Sequence, residues 1–207
     1  IRIPKLRDFW NLLNPKSIRQ RMANYFAIFS FAGMLFYIGS GVFNTVYPVG
    51  MKLSGSTSSE IFFIFFLSNA IQCVMFYYYR KIVKNDDEVG TARHALLLRG
   101  IIYLIIGATF VLAKAPIFLG LNVVLYPICS GMAYVLYFTA SNMLLFKFIN
   151  SKARGTELGV YSSLTGIGTV AGALLSGYFV QSIGFWFAFL VAGIFMFSAM
   201  FVLTKIK

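Results

Sequence analysis

Carboxylates are scarce in this sequence. Its 207 residues include six Asp and Glu against 18 Lys and Arg, and no acidic residue falls inside a long apolar run. Charged residues make up 12% of the chain, about half the usual share of ~25%. The single histidine, His94, sits in a basic loop, and the two cysteines, Cys73 and Cys129, lie within apolar runs. These shortages exclude whole classes of function. A membrane enzyme or intramembrane protease needs an acid, base or nucleophile set at membrane depth, and none is present. No metal-ligand spacing occurs, and nothing suggests a cofactor. No phosphate-binding glycine loop is found, so coupling to ATP would need a separate subunit. A voltage-gated channel would show an Arg-rich span and a carbonyl filter, and neither occurs. An aquaporin would carry paired Asn-Pro-Ala turns within the membrane, whereas the only Asn-Pro, Asn14-Pro15, lies in the N-terminal basic segment. Proton coupling usually employs buried Asp, Glu or His, so any proton site is expected outside this stretch.

What the chain has in excess is apolar surface. Apolar residues make up 59%, Phe alone occurs 23 times, and the mean hydropathy is +0.79. A soluble domain of this size cannot hide that much. A bilayer crossing takes about 20 apolar residues, and six such runs are present: roughly 23–47, 61–79, 95–113, 117–146, 158–183 and 185–204. The first is too long for a signal peptide, and others follow it. None alternates polar and apolar residues as barrel strands do, and a helix satisfies its own backbone hydrogen bonds in lipid. An all-α, polytopic membrane protein of six spans is therefore expected. The partition is 1–21, a cytoplasmic basic linker or amphipathic segment, and 22–207, the transmembrane domain. The chain begins at Ile1 rather than Met, which leads us to expect a portion of a longer protein.

A net charge of +12 would suggest nucleic acid in a soluble protein. Its placement argues otherwise. The N-terminal segment, the second and fourth loops with their flanks, and the C-terminus hold 16 of the 18 basic residues; the opposite loops hold only Lys52 and Lys114. Basic residues in short loops stay cytoplasmic. Both termini are thus expected in the cytoplasm, as an even number of spans requires, with the lipid bilayer rather than nucleic acid as the partner.

Polar residues are unevenly spread. Spans three and six carry few of them and no amide, whereas spans one, two, four and five carry Asn44, Asn69, Gln72 and a series of hydroxyls. An amide in lipid is costly without a partner or water, so these four spans are expected to line an interior while three and six face lipid. At 100° per residue, Tyr126, Ser130, Tyr134, Tyr137 and Ser141 fall within about 80° of arc, and Gly33, Tyr37, Gly41 and Asn44 do likewise. The stripes read either as the wall of a water-filled cavity or as close helix packing. Tyr37, Asn44, Asn69, Gln72, Tyr126, Ser130, Tyr134 and Tyr137 are the candidates to line a substrate pathway. In span five, Gly159, Gly166 and Gly177 share a face, and Gly168 and Gly172 form a second small-residue pair; all five suit close packing. Arg99 and Arg154 are expected to anchor helix ends at the cytoplasmic rim. With no counter-charge assigned to the pathway, an uncharged or amphipathic solute is expected.

The basic entry Ser17-Ile18-Arg19-Gln20-Arg21, the polar break Asn44-Thr45-Val46-Tyr47-Pro48, the basic second loop and Arg154-Gly155-x-x-x-Gly159 before a Gly-rich span follow one another along nearly the whole chain. In this order the layout resembles the C-terminal six-helix half of a major facilitator superfamily transporter. The second loop departs from that family's motif. Asp87-x-x-Gly90 keeps the Asp-to-Gly spacing, but Glu88 and Thr91-Ala92 stand where basic residues are expected, with Arg93 one place later. The resemblance implies two inverted three-helix repeats, an N-terminal six-helix half as partner, and secondary active transport of a small solute by alternating access. The plasma membrane is the expected location, and the lack of a catalytic set at membrane depth leads us to expect no enzymatic activity. A membrane subunit powered by a separate ATPase and a non-transporting scaffold are the alternatives.

Overall fold

The computed structural model describes residues 25–82, 87–112, 115–148 and 154–206. The segment 1–21 lies outside these residues, as does the side chain of Arg154. Nearly every described residue is helical, and no strand occurs among them. The first three spans are α1 (Tyr25–Leu53), α2 (Ser58–Ile82) and α3 (Glu88–Leu112). The fourth is a rod of three pieces: α4 (Ala115–Tyr126), a π-helical stretch Pro127–Ala133, and α5 (Tyr134–Phe148). Spans five and six are α6 (Arg154–Ser182) and α7 (Phe185–Leu203). At about 1.5 Å per residue even α7, the shortest span, comes close to the thickness of a bilayer core.

Two helix boundaries depart from the hydropathy pattern. The apolar run of span three begins at Ala95, yet α3 starts at Glu88. Asp87 caps it: its Oδ1 accepts the Gly90 N–H at 2.7 Å, satisfying a donor that the first turn cannot. A Cβ on Gly90 would run into that carboxylate, which explains the Asp-x-x-Gly spacing. In span one, the Asn44–Pro48 segment is not a break. α1 passes through Pro48 and ends at Leu53, where Gly55 takes a positive φ of 93° and the Ser54 and Ser56 N–H groups close onto Gly50 and Met51 carbonyls. α2 opens with a capping box between Thr57 and Glu60.

α1 is the axis of the bundle. It packs along α6 and α7, α3 packs along α7 and α5, and α2 lies on the fourth span. Lipid offers helices no hydrophobic reason to associate, so packing and small residues must hold them. Against α6, backbone meets backbone: Cβ atoms on Gly168 and Gly172 would collide with the carbonyl oxygens of Met34 and Ile38. Against α3 and the fourth span, aromatic rings interleave. Phe43 stacks on Tyr103 at 3.9 Å between centroids, Tyr47 on Tyr126 at 4.3 Å, and Phe36 on Tyr137 at 3.9 Å. At one end, Lys147 Nζ meets Glu88 Oε1 at 2.6 Å and ties the end of α5 to the start of α3.

Beyond its first two turns, where Arg93 and His94 are exposed, the exposed large side chains of α3 (Leu97, Ile101, Leu104, Ile105, Val111 and Leu112) are apolar, as lipid contact requires. Its opposite face is buried and carries Arg99, so span three is not the purely lipid-facing helix expected from its polarity. α2 and α6 leave most of their apolar length uncovered.

Candidate functional site

A cavity of about 380 Å³ opens inside the bundle. α1 contributes Phe36, Tyr37, Ser40, Gly41 and Asn44; α2 contributes Gln72; α3, Arg99; the fourth span, Tyr126, Ser130 and Tyr134; and α6, Thr169. Each of these residues lies near the middle of its own span, so the cavity sits halfway along five helices. α7 contributes nothing to it.

Six of the eight pathway candidates come together here: Tyr37, Asn44, Gln72, Tyr126, Ser130 and Tyr134. Asn69 and Tyr137 do not. Asn69 points from the uncovered face of α2. Tyr137 is 2% exposed and lies behind the wall, stacked on Phe36. The π-helical stretch is the reason. A π turn takes more residues than an α turn, so every position beyond it is rotated away from the face that a straight α-helix would give it. The five-residue stripe inferred at 100° per residue is thereby split, and Tyr137 and Ser141 leave the cavity. Replacing Tyr137 by Phe is accordingly expected to leave solute uptake unchanged, measured as initial rate in liposomes; a marked loss would place its hydroxyl on the pathway after all.

The π stretch begins at Pro127, which has no N–H to give the preceding turn. Loosened helix bonds in lipid need other partners, and Gln72 supplies one: its Nε2 donates to the Ser130 carbonyl at 2.9 Å. Gly131 lets α2 come close, since a Cβ there would meet Ile71 Cγ2 at 2.9 Å and the Ser68 carbonyl at 3.1 Å. The amide of Gln72 thus both shapes the fourth span and faces the cavity.

The five glycines of span five separate into two roles. Gly168 and Gly172 pack on α1. Gly159, Gly166 and Gly177 face open space, with nothing within 4 Å of a would-be Cβ, so they do not pack within this chain.

Arg99 requires the largest correction. It is not at a helix end. Because Asp87 starts α3 so early, Arg99 falls at the middle of the helix, 2% exposed and on the cavity wall. Its Nε donates to the Tyr103 hydroxyl at 2.8 Å. Its guanidinium carbon lies 5.0, 5.4 and 5.5 Å from the ring centroids of Phe36, Tyr103 and Tyr134, a cation–π enclosure. Nη1 is buried without a hydrogen-bond partner among the described residues. A lone charge inside an otherwise apolar run was the available signal; placing the helix start by hydropathy alone moved it to the rim. Ser40, Phe36 and Thr169 also join the wall without having been singled out, because position on a stripe does not reveal which helix lies opposite.

The wall therefore offers amide and hydroxyl groups, aromatic faces and one cation, and it carries no carboxylate or histidine. These groups are equipped to bind and orient a solute. Against known proteins, a family model described as the Major Facilitator Superfamily matches residues 12–206. No curated protein and no solved structure matches the chain.

Proposed function

We propose that this chain, which belongs to the Major Facilitator Superfamily of transporters, is the C-terminal half of a secondary active transporter that moves a small solute by alternating access. The observation that carries this reading is the cavity: polar groups from five apolar helices converge on one space halfway along them, and polar groups at that depth mark solute pathways. The uncovered faces of α2 and α6 fit the docking surface for an N-terminal six-helix half. The glycine face Gly159, Gly166 and Gly177 is open here, and small residues are what a closely approaching helix needs. The helix pairings come in matched sets, span one with five and six, span four with two and three, a pattern that supports two inverted triplets. With Arg99 inside the bundle, the remaining 15-to-2 distribution of basic residues supports cytoplasmic termini, and the plasma membrane is the location we propose.

The test is reconstitution of the full-length protein in liposomes with a solute panel and an imposed pH gradient. Saturable uptake of at least one solute is expected. Asn44→Trp, which fills the cavity from α1, is expected to abolish that uptake while the protein still purifies as a folded species. A folded protein that moves no solute, or an Asn44→Trp variant that transports like the parent, would overturn the proposal.

A further inference from the structure

Among the described residues, no carboxylate lines the cavity or pairs with Arg99. Of the six acidic residues in the chain, Asp8 lies in the N-terminal segment, Asp86 and Asp87 in the second loop, and Glu60, Glu88 and Glu157 in the first turns of α2, α3 and α6. The described spans also carry no second basic residue in their central turns. Arg99 is thus a single, permanently charged group, held away from water on a cavity wall. Its Nε is occupied by Tyr103, its guanidinium carbon lies over the Phe36 and Tyr134 rings, and Nη1 is unsatisfied among the described residues. A buried cation left in that state is costly, and intramembrane charges of this kind mark ligand pathways.

We infer that the cavity binds an organic monoanion, its carboxylate on the free edge of Arg99 and its apolar or aromatic body against Phe36, Tyr37 and Tyr134, with Asn44 and Gln72 available to its polar substituents. The single cation matches a single negative charge. A phosphate dianion would leave excess charge in the low-dielectric site, and a neutral solute would leave Arg99 unpaired. The aromatic lining suits a body that is not itself charged. This inference rests on the transporter reading and narrows the uncharged or amphipathic solute expected from the sequence to an amphipathic anion, because Arg99 supplies the counter-charge that the sequence reading did not assign to the pathway.

The test uses the full-length protein, purified in detergent, with benzoate, benzamide and benzylamine as probes of one shape and three charges. Benzoate is expected to raise the melting temperature in a concentration-dependent way, with an apparent affinity about tenfold or more above that of either other probe. Arg99→Gln is expected to remove this preference and Arg99→Lys to retain part of it. Should Arg99→Gln fail to fold, Asn44→Asp provides the second measurement: a carboxylate introduced into the same cavity is expected to abolish the benzoate shift. Equal response to benzamide overturns the inference, as does an undiminished benzoate response in Arg99→Gln or Asn44→Asp. No benzoate response from the parent protein also overturns it, and then points to a carboxylate of the other half as the partner of Arg99. The two readings fail separately. Uptake of a neutral solute insensitive to Arg99 would leave a transporter without an anion site. Arg99-dependent benzoate binding with no solute uptake would leave the site and overturn the transporter.

Discussion

Gly172→Leu is expected to prevent the bundle from assembling. A Cβ at this position would overlap the Ile38 carbonyl and press on the Val42 nitrogen of α1. These atoms are helix backbone and cannot swing aside as the tip of a side chain would. The same seam contains Gly168 against Met34 and Gly41 against Thr169, so relief at one point tightens another. Overpacking of an ordinary core already costs about 1–3 kcal/mol, and here the displaced element is a whole helix. We expect a loss of more than about 3 kcal/mol, measured as the folded fraction recovered when denaturing detergent is diluted. Gly166→Leu, on the open face of the same helix, is the internal control. It is expected to leave this half folded and to reduce uptake by obstructing the proposed partner half. Equal folding of both variants would show that the α1–α6 seam is not what holds the bundle.

Phe43→Ala is expected to have the next largest effect. Phe43 is fully buried and is shared by four rings: Tyr103, Tyr47, Tyr126 and Phe189. It thereby joins spans one, three, four and six at a single point. In lipid, association relies on packing because apolar surroundings are equally available from the acyl chains. The cost therefore arises from the void left behind and from the ring stacking that alanine cannot provide. About 3 kcal/mol is the expected destabilisation, read from the midpoint of unfolding in mixed micelles. Phe43→Leu, which refills part of the space, should recover a substantial part of it. An alanine variant with an unchanged midpoint would mean that the aromatic layer is not continuous.

The legibility of the site follows from the same physics. Asn44, Gln72, Tyr126, Ser130 and Tyr134 were recognisable because amides and hydroxyls in apolar runs need a reason to be there. Tyr137 was misplaced because one π-helical stretch alters the phase of everything after it. Asn69 was misplaced because a polar residue on α2 can face the cavity or the uncovered side, and composition treats the two alike. Arg99 was misplaced because hydropathy starts span three where the apolar run starts, whereas a side-chain cap at Asp87 starts the helix two turns earlier. Neither a helix cap, a π turn nor the direction a side chain faces leaves a mark in a hydropathy profile.

The sequence by itself determined that this is a six-span, all-α membrane protein, because chain length per crossing and the cost of unpaired backbone groups in lipid admit little else. It also determined which spans are rich in polar groups, and its basic-residue asymmetry is the ground for the proposed orientation. Only the tertiary structure decided that Gly168 and Gly172 pack while Gly159, Gly166 and Gly177 do not, since small residues look the same until a neighbouring helix is in place. It alone decided that Arg99 belongs to the cavity and not to the rim. Burial of a charge is a property of the whole surroundings, and those surroundings come from five helices brought together around α1.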